Sequence, residues 1–336
     1  MARPPLPEVT AAVSRARTNS LARVIRDVSS PRPPTNCTVA RNERRPLDEE
    51  ATMILVTGGT GAIGSELLRL LSQAGIPARV LSRSPNKTQN LPGITWVVGD
   101  LARPETLATA FEDAKSLFLL THYYEDMVEL QHNAIVAART AGVEHVVKVS
   151  AFAATDHSKA PIGQWHYQIE KELEDSRMAW TMLQPHHFMT NLVAQAEYVI
   201  KEGTIYSPSG DGKIPYVDPR DVAAVAFVTL TQPGHFGKTY VVTGSEAISY
   251  REASEIIGAT IGKKLRFVDE TPEQARARRI REGVPPAVIE SVLAIGAYQR
   301  AGGKTVTITN TVAELTGRPP RTVAEFVQEN ASVFRG

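Results

Sequence analysis

The seven residues from Gly58 to Gly64 read Gly-Gly-Thr-Gly-Ala-Ile-Gly, and four of them are glycines. The spacing fits both Gly58-x-x-Gly61-x-x-Gly64 and Gly59-x-Gly61-x-x-Gly64. Glycine enters tight turns freely and lets another group come close to the backbone. The group that such a turn suits is a phosphate, because the amides at the start of the following helix point at it and the helix dipole favours negative charge. In this reading Gly58 or Gly59 permits the turn, Gly61 lets a pyrophosphate approach, and Gly64 lets the helix pack closely. Thr60, Ala62 and Ile63 supply the remaining amides. A triphosphate loop is excluded, since no Lys-Ser or Lys-Thr pair follows the glycines.

The elements that hold this turn are legible on either side. Met53-Ile-Leu-Val-Thr57 is a short apolar run and predicts a buried parallel strand. Ser65–Ala74 predicts a helix with Leu67, Leu68 and Leu71 on one side, closed by Gly75. Further alternation follows. Pro77–Ser82 predicts strand two and Ile94–Val98 strand three. Lys115–Leu120 is strand four, Met127–Ala141 a helix, His145–Ser150 strand five and Ala179–Leu183 strand six. Repeated strand–helix alternation predicts an α/β fold, a Rossmann-type doubly wound parallel sheet with ligand at the strands' carboxyl ends.

Several residues at those ends could meet a dinucleotide. Strand two ends in Ser82-Arg83-Ser84, without the acid that binds a ribose 2′-hydroxyl. Arg83 can instead fork onto a 2′-phosphate, so NADP(H) is preferred over NAD(H). Asp100, followed by Leu101, is placed to accept from an adenine amino group or to cap the helix near Pro104–Phe111. Thr121 and Pro185 end strands four and six on the nicotinamide side.

Composition narrows the class. Net charge is +1 and the hydrophobic fraction 42%, ordinary values that imply no bulk attraction to nucleic acid or membrane. Cys37 is the single cysteine, which excludes an internal disulfide. No apolar run approaches a membrane span, and a cytoplasmic location is the default expectation. Residues 1–52 carry seven prolines and nine arginines against six acids, a stretch expected to be a disordered extension. Transit-peptide and basic-arm readings stand beside a solvated tail, and Met53 immediately precedes the first strand.

From Thr57-Gly-Gly-Thr-Gly-Ala-Ile-Gly64, Val80-Leu-Ser-Arg83, Val98-Gly-Asp100 and Val146-Val-Lys-Val-Ser150, the chain resembles the NmrA-like family of atypical short-chain dehydrogenases/reductases. Trp165-His166 through Glu170-Lys171, Trp180–Pro185 with Phe188 and Asn191, and Tyr216–Ala223 extend the resemblance, as does the tail Leu315–Arg321 through Phe326, so that it covers about residues 53–332. It implies an NAD(P)H-dependent oxidoreductase acting on a small quinone, azo or carbonyl compound, or a redox sensor that binds NADP(H) without turnover. A nucleotide-sugar epimerase is a third reading, against which Arg83 argues.

The same resemblance implies a catalytic set. The wider superfamily pairs a tyrosine with a lysine four residues on, beside a serine on the preceding strand; here these are Tyr167, Lys171 and Ser150. Lys171 would hold the tyrosinate or the nicotinamide ribose, Tyr167 would donate a proton, and Ser150 would hold the substrate oxygen. His186, His187 and Phe188 are expected to shape the substrate pocket. Together with His166 the histidines invite a metal, but no carboxylate or cysteine stands at a supporting spacing, so none is expected. Glu170 reads as a surface partner, and Arg276, Arg278, Arg279 and Arg281 as a solvated face. The expected organisation is an extension over 1–52, an NAD(P)-binding core over 53–245 and a smaller, mostly helical C-terminal substrate lobe over 246–336. The expected partner is a small-molecule substrate, without nucleic acid or membrane and with a homodimer permitted.

Overall fold

The computed structural model describes residues 53–84 and 90–336. The extension expected over 1–52 lies outside the described residues. In chain order the elements are β1 (Met53–Val56), α1 (Ala62–Gln73), β2 (Ala78–Ser82), β3 (Ile94–Val98), α2 (Ala108–Phe111), β4 (Ala114–Leu119), α3 (Met127–Thr140), β5 (His145–Val149), α4 (Pro161–Asp175) and β6 (Ala179–Pro185). Then come α5 (Thr190–Val193), α6 (Ala196–Glu202), β7 (Thr204–Ser207), α7 (Pro219–Thr231), β8 (Lys238–Val242), α8 (Tyr250–Ile261), β9 (Arg266–Asp269), α9 (Pro272–Arg281), α10 (Pro286–Ala301), α11 (Thr311–Thr316), α12 (Val323–Glu329) and α13 (Ala331–Arg335). Short 3₁₀ turns lie at Pro104–Thr106 and Gly303–Val306.

Seven strands form one parallel sheet in the order β3-β2-β1-β4-β5-β6-β8. The order reverses between β1 and β4, and that switch point is where a doubly wound sheet opens a crevice for ligand. Residues along each strand alternate between two cores. Ile54, Val56, Val80, Phe118, Val147 and Val149 pack under α1 and α7 with Leu67, Leu68, Leu71 and Val222. Leu55, Leu81, Leu117, Val146 and Met182 pack on the other face with Leu130, Ala134, Ile169 and Leu173 of α3 and α4. Burial on both faces explains why these strands read as continuous apolar runs.

The C-terminal half adds a two-stranded parallel sheet, β7 with β9, and a third core around Tyr216, Tyr250, Ile257, Phe326 and Phe334. Strand β7 escaped the sequence reading because four residues, Thr204–Ser207, are too few to show a period. Asp218 is the N-cap of α7, accepting from Arg220 N. Asp221, fully buried, instead ties the tail to the core by accepting from Arg318 Nη1 at 2.8 Å and from Arg321 N at 2.8 Å and Nη1 at 2.5 Å. Among the described residues no helix is long and apolar enough to cross a membrane.

Candidate functional site

The glycine turn sits at the carboxyl end of β1, on the switch point. Gly58 has φ +68°, a conformation that only glycine adopts without strain, and a Cβ there would lie 2.8 Å from the Leu120 carbonyl. A Cβ on Gly64 would lie 2.3 Å from the Gly58 carbonyl and 2.8 Å from Gly59 Cα, so Gly64 lets α1 close on the turn itself. Thr57 fixes the turn from below: its hydroxyl donates to the Leu120 carbonyl and accepts from Leu120 N, both at 2.9 Å. Thr60 and Gly61 are exposed at the crest, and Gly61 is the N-cap of α1. The amides of Ala62, Ile63 and Gly64 belong to a first helical turn and have no partner within the helix. An exposed crest with unpaired amides and no side chain in the way fits a pyrophosphate.

The neighbouring strand ends complete the rim. At the end of β2, Ser82 Oγ donates to the Ser84 carbonyl at 2.9 Å and accepts from Ser84 N at 3.2 Å, which leaves exposed Arg83 at the tip of a small turn. After β3, the Asp100 carboxylate accepts from Ala102 N at 3.0 Å and lies 3.6 Å from Arg103 Nε. It therefore forms its own short turn, while Arg103 takes the cap position of the 3₁₀ helix. The Leu101 carbonyl accepts from Asn133 Nδ2 of α3 at 2.8 Å. After β4, Thr121 Oγ1 accepts from buried Gln131 Nε2 at 2.9 Å.

Strands β5 and β6 carry polar groups without partners. Ser150 is 4% exposed, and its hydroxyl makes no hydrogen bond. Beside it, Phe152 N donates to the Pro185 carbonyl at 3.1 Å, and the rings of Phe152 and His186 lie 4.6 Å apart. His186 Nδ1 accepts from His187 N at 2.9 Å, so a neutral ring carries its proton on Nε2, and that atom is buried without a completed hydrogen bond. Burial holds the His186 pKa at about 4, with the Thr305 backbone opposing slightly. His187 is pushed lower, to about 3, by burial and then by His186; its Nε2 pairs with Tyr250 Oη at 2.8 Å. Phe188, expected to shape the substrate pocket, forms a backbone bridge to Val217. The three histidines thus have separate partners, and among the described residues no group of three or more His, Cys, Asp or Glu side chains is placed to hold a metal.

Helix α4 is rotated from the phase that the resemblance implied. Its inner face carries His166, Ile169, Glu170 and Leu173. Tyr167 is half-buried on the flank. Lys171 is exposed, bonds Glu174 at 2.6 Å and lies 5.5 Å from the centroid of the Tyr167 ring. Glu174 raises the Lys171 pKa. The residues brought together inside are others. Lys148 of β5, fully buried, donates to His166 Nδ1 at 2.9 Å and to the Val149 carbonyl at 3.2 Å. Glu170, read from sequence as a surface residue, is 7% exposed and accepts from Gln184 Nε2 at 2.9 Å. Burial lowers the Lys148 pKa to about 7 despite the attraction of Glu170, and holds His166 well below its usual value. Sequence reasoning gave Lys148 no role, weighed His166 only as a metal ligand and placed Glu170 on the surface, although the 166-169-170-173 stripe, anchored by Ile169 and Leu173, sets the helix phase.

The solvated face expected for α9 is also corrected. Arg278 forks onto Glu270 at 2.8 and 2.7 Å, reaches Glu282 at 2.9 Å and is 9% exposed. Arg279 is partly buried beside it, and the helix phase that exposes Arg276 and Arg281 turns these two inward.

The model of the NmrA-like family matches residues 50–327. An NAD(P)H azoreductase of Xenophilus azovorans is 38% identical over 287 residues, which is 84% of this chain and 99% of the relative. The structure of an NADPH-dependent quinone oxidoreductase from Escherichia coli, complexed with NADPH, superposes with a TM-score of 0.76 at 26% identity, covering 83% of this chain and 99% of the other. The negative transcriptional regulator NmrA in complex with NADP superposes with a TM-score of 0.70 at 17% identity, covering 85% and 97%, a likeness of fold alone. By the family model and by identity along nearly the whole described chain, this protein belongs to the NmrA-like family.

Proposed function

We propose that the chain is an NADPH-dependent reductase that passes hydride to a small quinone, azo or carbonyl acceptor. One observation carries this reading. A single sheet edge holds an amide turn shaped for a pyrophosphate and, farther along the same edge, the buried Ser150 hydroxyl without a partner, with the neutral His186 ring nearby. The relatives named as an azoreductase and as a quinone oxidoreductase support the same activity. Arg83, where an acid would favour NAD(H), supports NADP(H) as the preferred cofactor, with NAD(H) a weaker alternative.

Bound NADPH supplies the hydride. The amides of Thr60, Ala62, Ile63 and Gly64 would hold the diphosphate, the Gly61 amide being used within the turn by the Gly58 carbonyl at 3.0 Å, and Arg83 would hold the 2′-phosphate. Asp100, Leu101, Thr121 and Pro185 line the rest of the groove. The Ser150 hydroxyl and the neutral His186 Nε2–H donate to the acceptor's oxygen or nitrogen, where negative charge grows as hydride arrives. Tyr167, on the flank of α4, is the candidate proton donor. Lys171, held by Glu174, is assigned to the surface. Residues 53–245 form the cofactor-binding part, and 246–336 cover the acceptor. A cytoplasmic location and a homodimer belong to the same proposal.

The test is NADPH oxidation by the purified chain with a panel of quinone, azo and carbonyl acceptors, alongside Ser150→Ala. Turnover is expected with at least one class. Ser150→Ala should lower kcat by roughly 100- to 1000-fold while NADPH affinity stays within about twofold. Tight NADPH binding with no turnover on any acceptor would refute the reductase and favour a redox sensor.

A further inference from the structure

A cavity of about 60 Å³ lies behind His187, lined also by Gln195, Tyr250, Arg279, Ile295 and Gln299. It shares His187 with the end of β6, next in sequence to the His186 assigned to the acceptor. Its volume equals roughly two water molecules, enough for a headgroup of a few heavy atoms and too small for a ring.

Arg279 is the group in this wall whose bonding is incomplete. A guanidinium presents five N–H donors. Arg279 makes one long hydrogen bond, from Nη1 to the Ala275 carbonyl at 3.5 Å, and stands 3.8 Å from Glu270 Oε2. Glu270 and Glu282 are engaged chiefly by Arg278, and Glu282 also by Tyr198 Oη; Arg279 pairs with Glu270 only at 3.8 Å, beyond hydrogen-bond distance. Desolvation, with repulsion from Arg278, lowers the Arg279 pKa from its ordinary value. Even so, an arginine keeps its charge. The other polar walls are satisfied. Gln195 Oε1 accepts from Tyr206 N at 3.2 Å and Gln299 Oε1 from Ser209 Oγ at 2.6 Å, which leaves their NH₂ ends as donors. His187, neutral, pairs with Tyr250. The lining is therefore rich in donors, and its one cation has spare valence.

We propose that this cavity is an inner subsite in which Arg279 holds an oxyanion substituent of the acceptor, such as a carboxylate, sulfonate or phosphate monoester. The proposal rests on the reductase reading for its substrate and on the cavity for its chemistry. Charge-assisted bonds from a guanidinium to an oxyanion are short and directional, and one such group fills the volume. The acceptors that this chain handles best therefore carry an acidic group beyond the ring that takes the hydride.

Two measurements test it on the full chain. The first compares kcat/KM for 1,4-naphthoquinone-2-sulfonate with that for 1,4-naphthoquinone, in the native protein and in Arg279→Met. Taking the ratio between variant and native protein cancels the different intrinsic reactivities of the two quinones. The sulfonate-to-neutral ratio should fall at least tenfold in Arg279→Met and be partly restored in Arg279→Lys; an unmoved ratio overturns the subsite. The second is calorimetry of naphthalene-2-sulfonate and of 2-naphthol binding to the native protein with NADP⁺ present, which requires neither turnover nor a stable variant. Tighter binding of the sulfonate by tenfold or more supports the subsite even if no acceptor is reduced, in which case only the reductase reading fails. Equal binding of the two overturns the subsite even if quinones are reduced.

Discussion

A methyl group added at Gly61 would meet only the Gly58 carbonyl, at 3.4 Å, an ordinary contact. The residue has φ −85° and ψ 171°, a conformation open to any amino acid. The fold should therefore tolerate Gly61→Ala. Alanine is a poorer N-cap than glycine, by about 1 kcal/mol at most. The lower chain entropy of the unfolded variant returns about 0.4–1 kcal/mol. For a domain of this size 1 kcal/mol corresponds to roughly 2–4 °C, so Tm should fall by no more than about 4 °C. The ligand is affected differently. Gly61 is exposed at the crest of the turn, where the methyl group would occupy the space through which a pyrophosphate reaches the amides. Losing one or two hydrogen bonds to a charged group costs about 1.5–3 kcal/mol each, so NADPH Kd should rise at least tenfold and up to about 10⁴-fold. Gly64→Ala is the control of opposite kind, because its methyl group would press to 2.3 Å on backbone that cannot yield locally. It should lower both Tm and affinity. Differential scanning calorimetry and titration calorimetry on the two variants decide the matter. Gly61→Ala with native NADPH affinity would refute the placement of the pyrophosphate on this turn.

Arg83→Ala should raise Kd for NADPH about tenfold or more and leave that for NADH nearly unchanged, measured by titration calorimetry with both cofactors. Asp221→Ala removes the buried acceptor of Arg318 and Arg321, whose side chains are themselves partly exposed, and should cost about 1–3 kcal/mol of stability in urea unfolding; unchanged stability would contradict this tie of the tail to the core. For Lys148 the folded pKa, about 7, lies below the unfolded value of 10.5. Between those values the unfolded chain binds more protons, so this group makes stability rise with pH, by up to about 1.4 kcal/mol per unit, and its full penalty is felt below pH 7. Lys148→Met should remove that rise between pH 7 and 10 in urea unfolding, and an unchanged slope would contradict the buried Lys148–His166 pair. Lys171→Ala should leave kcat and NADPH affinity within about twofold; a large loss would return Lys171 to the site.

The parallel sheet and the glycine turn were legible because each rests on local signals. Apolar strands such as Met53–Val56 and glycines with distinct steric duties fix the topology up to β6. The α4 site was less legible because Tyr167–Lys171 and His166–Glu170 share the same spacing, one residue apart. Only the apolar partners Ile169 and Leu173 say which pair faces the sheet, and a motif match does not consult them. Lys148 was hidden by its setting, since a lysine in the run His-Val-Val-Lys-Val is ordinarily read as a solvent position. Arg278 shares the inner side of α9 with buried Ala275 and is held there by Glu270, just after β9; reading the four arginines as one solvated face ignored that phase.

The central claim is that hydride leaves a dinucleotide held at the glycine turn for a small acceptor beside Ser150 and His186. Stopped-flow mixing of the NADPH-loaded chain with a quinone, using NADPH with and without deuterium at the transferred position, tests it directly. The account predicts decay of the reduced cofactor in a single turnover, slowed by a primary isotope effect. A cofactor that stays bound and reduced in the presence of quinone, azo and carbonyl acceptors alike would contradict it.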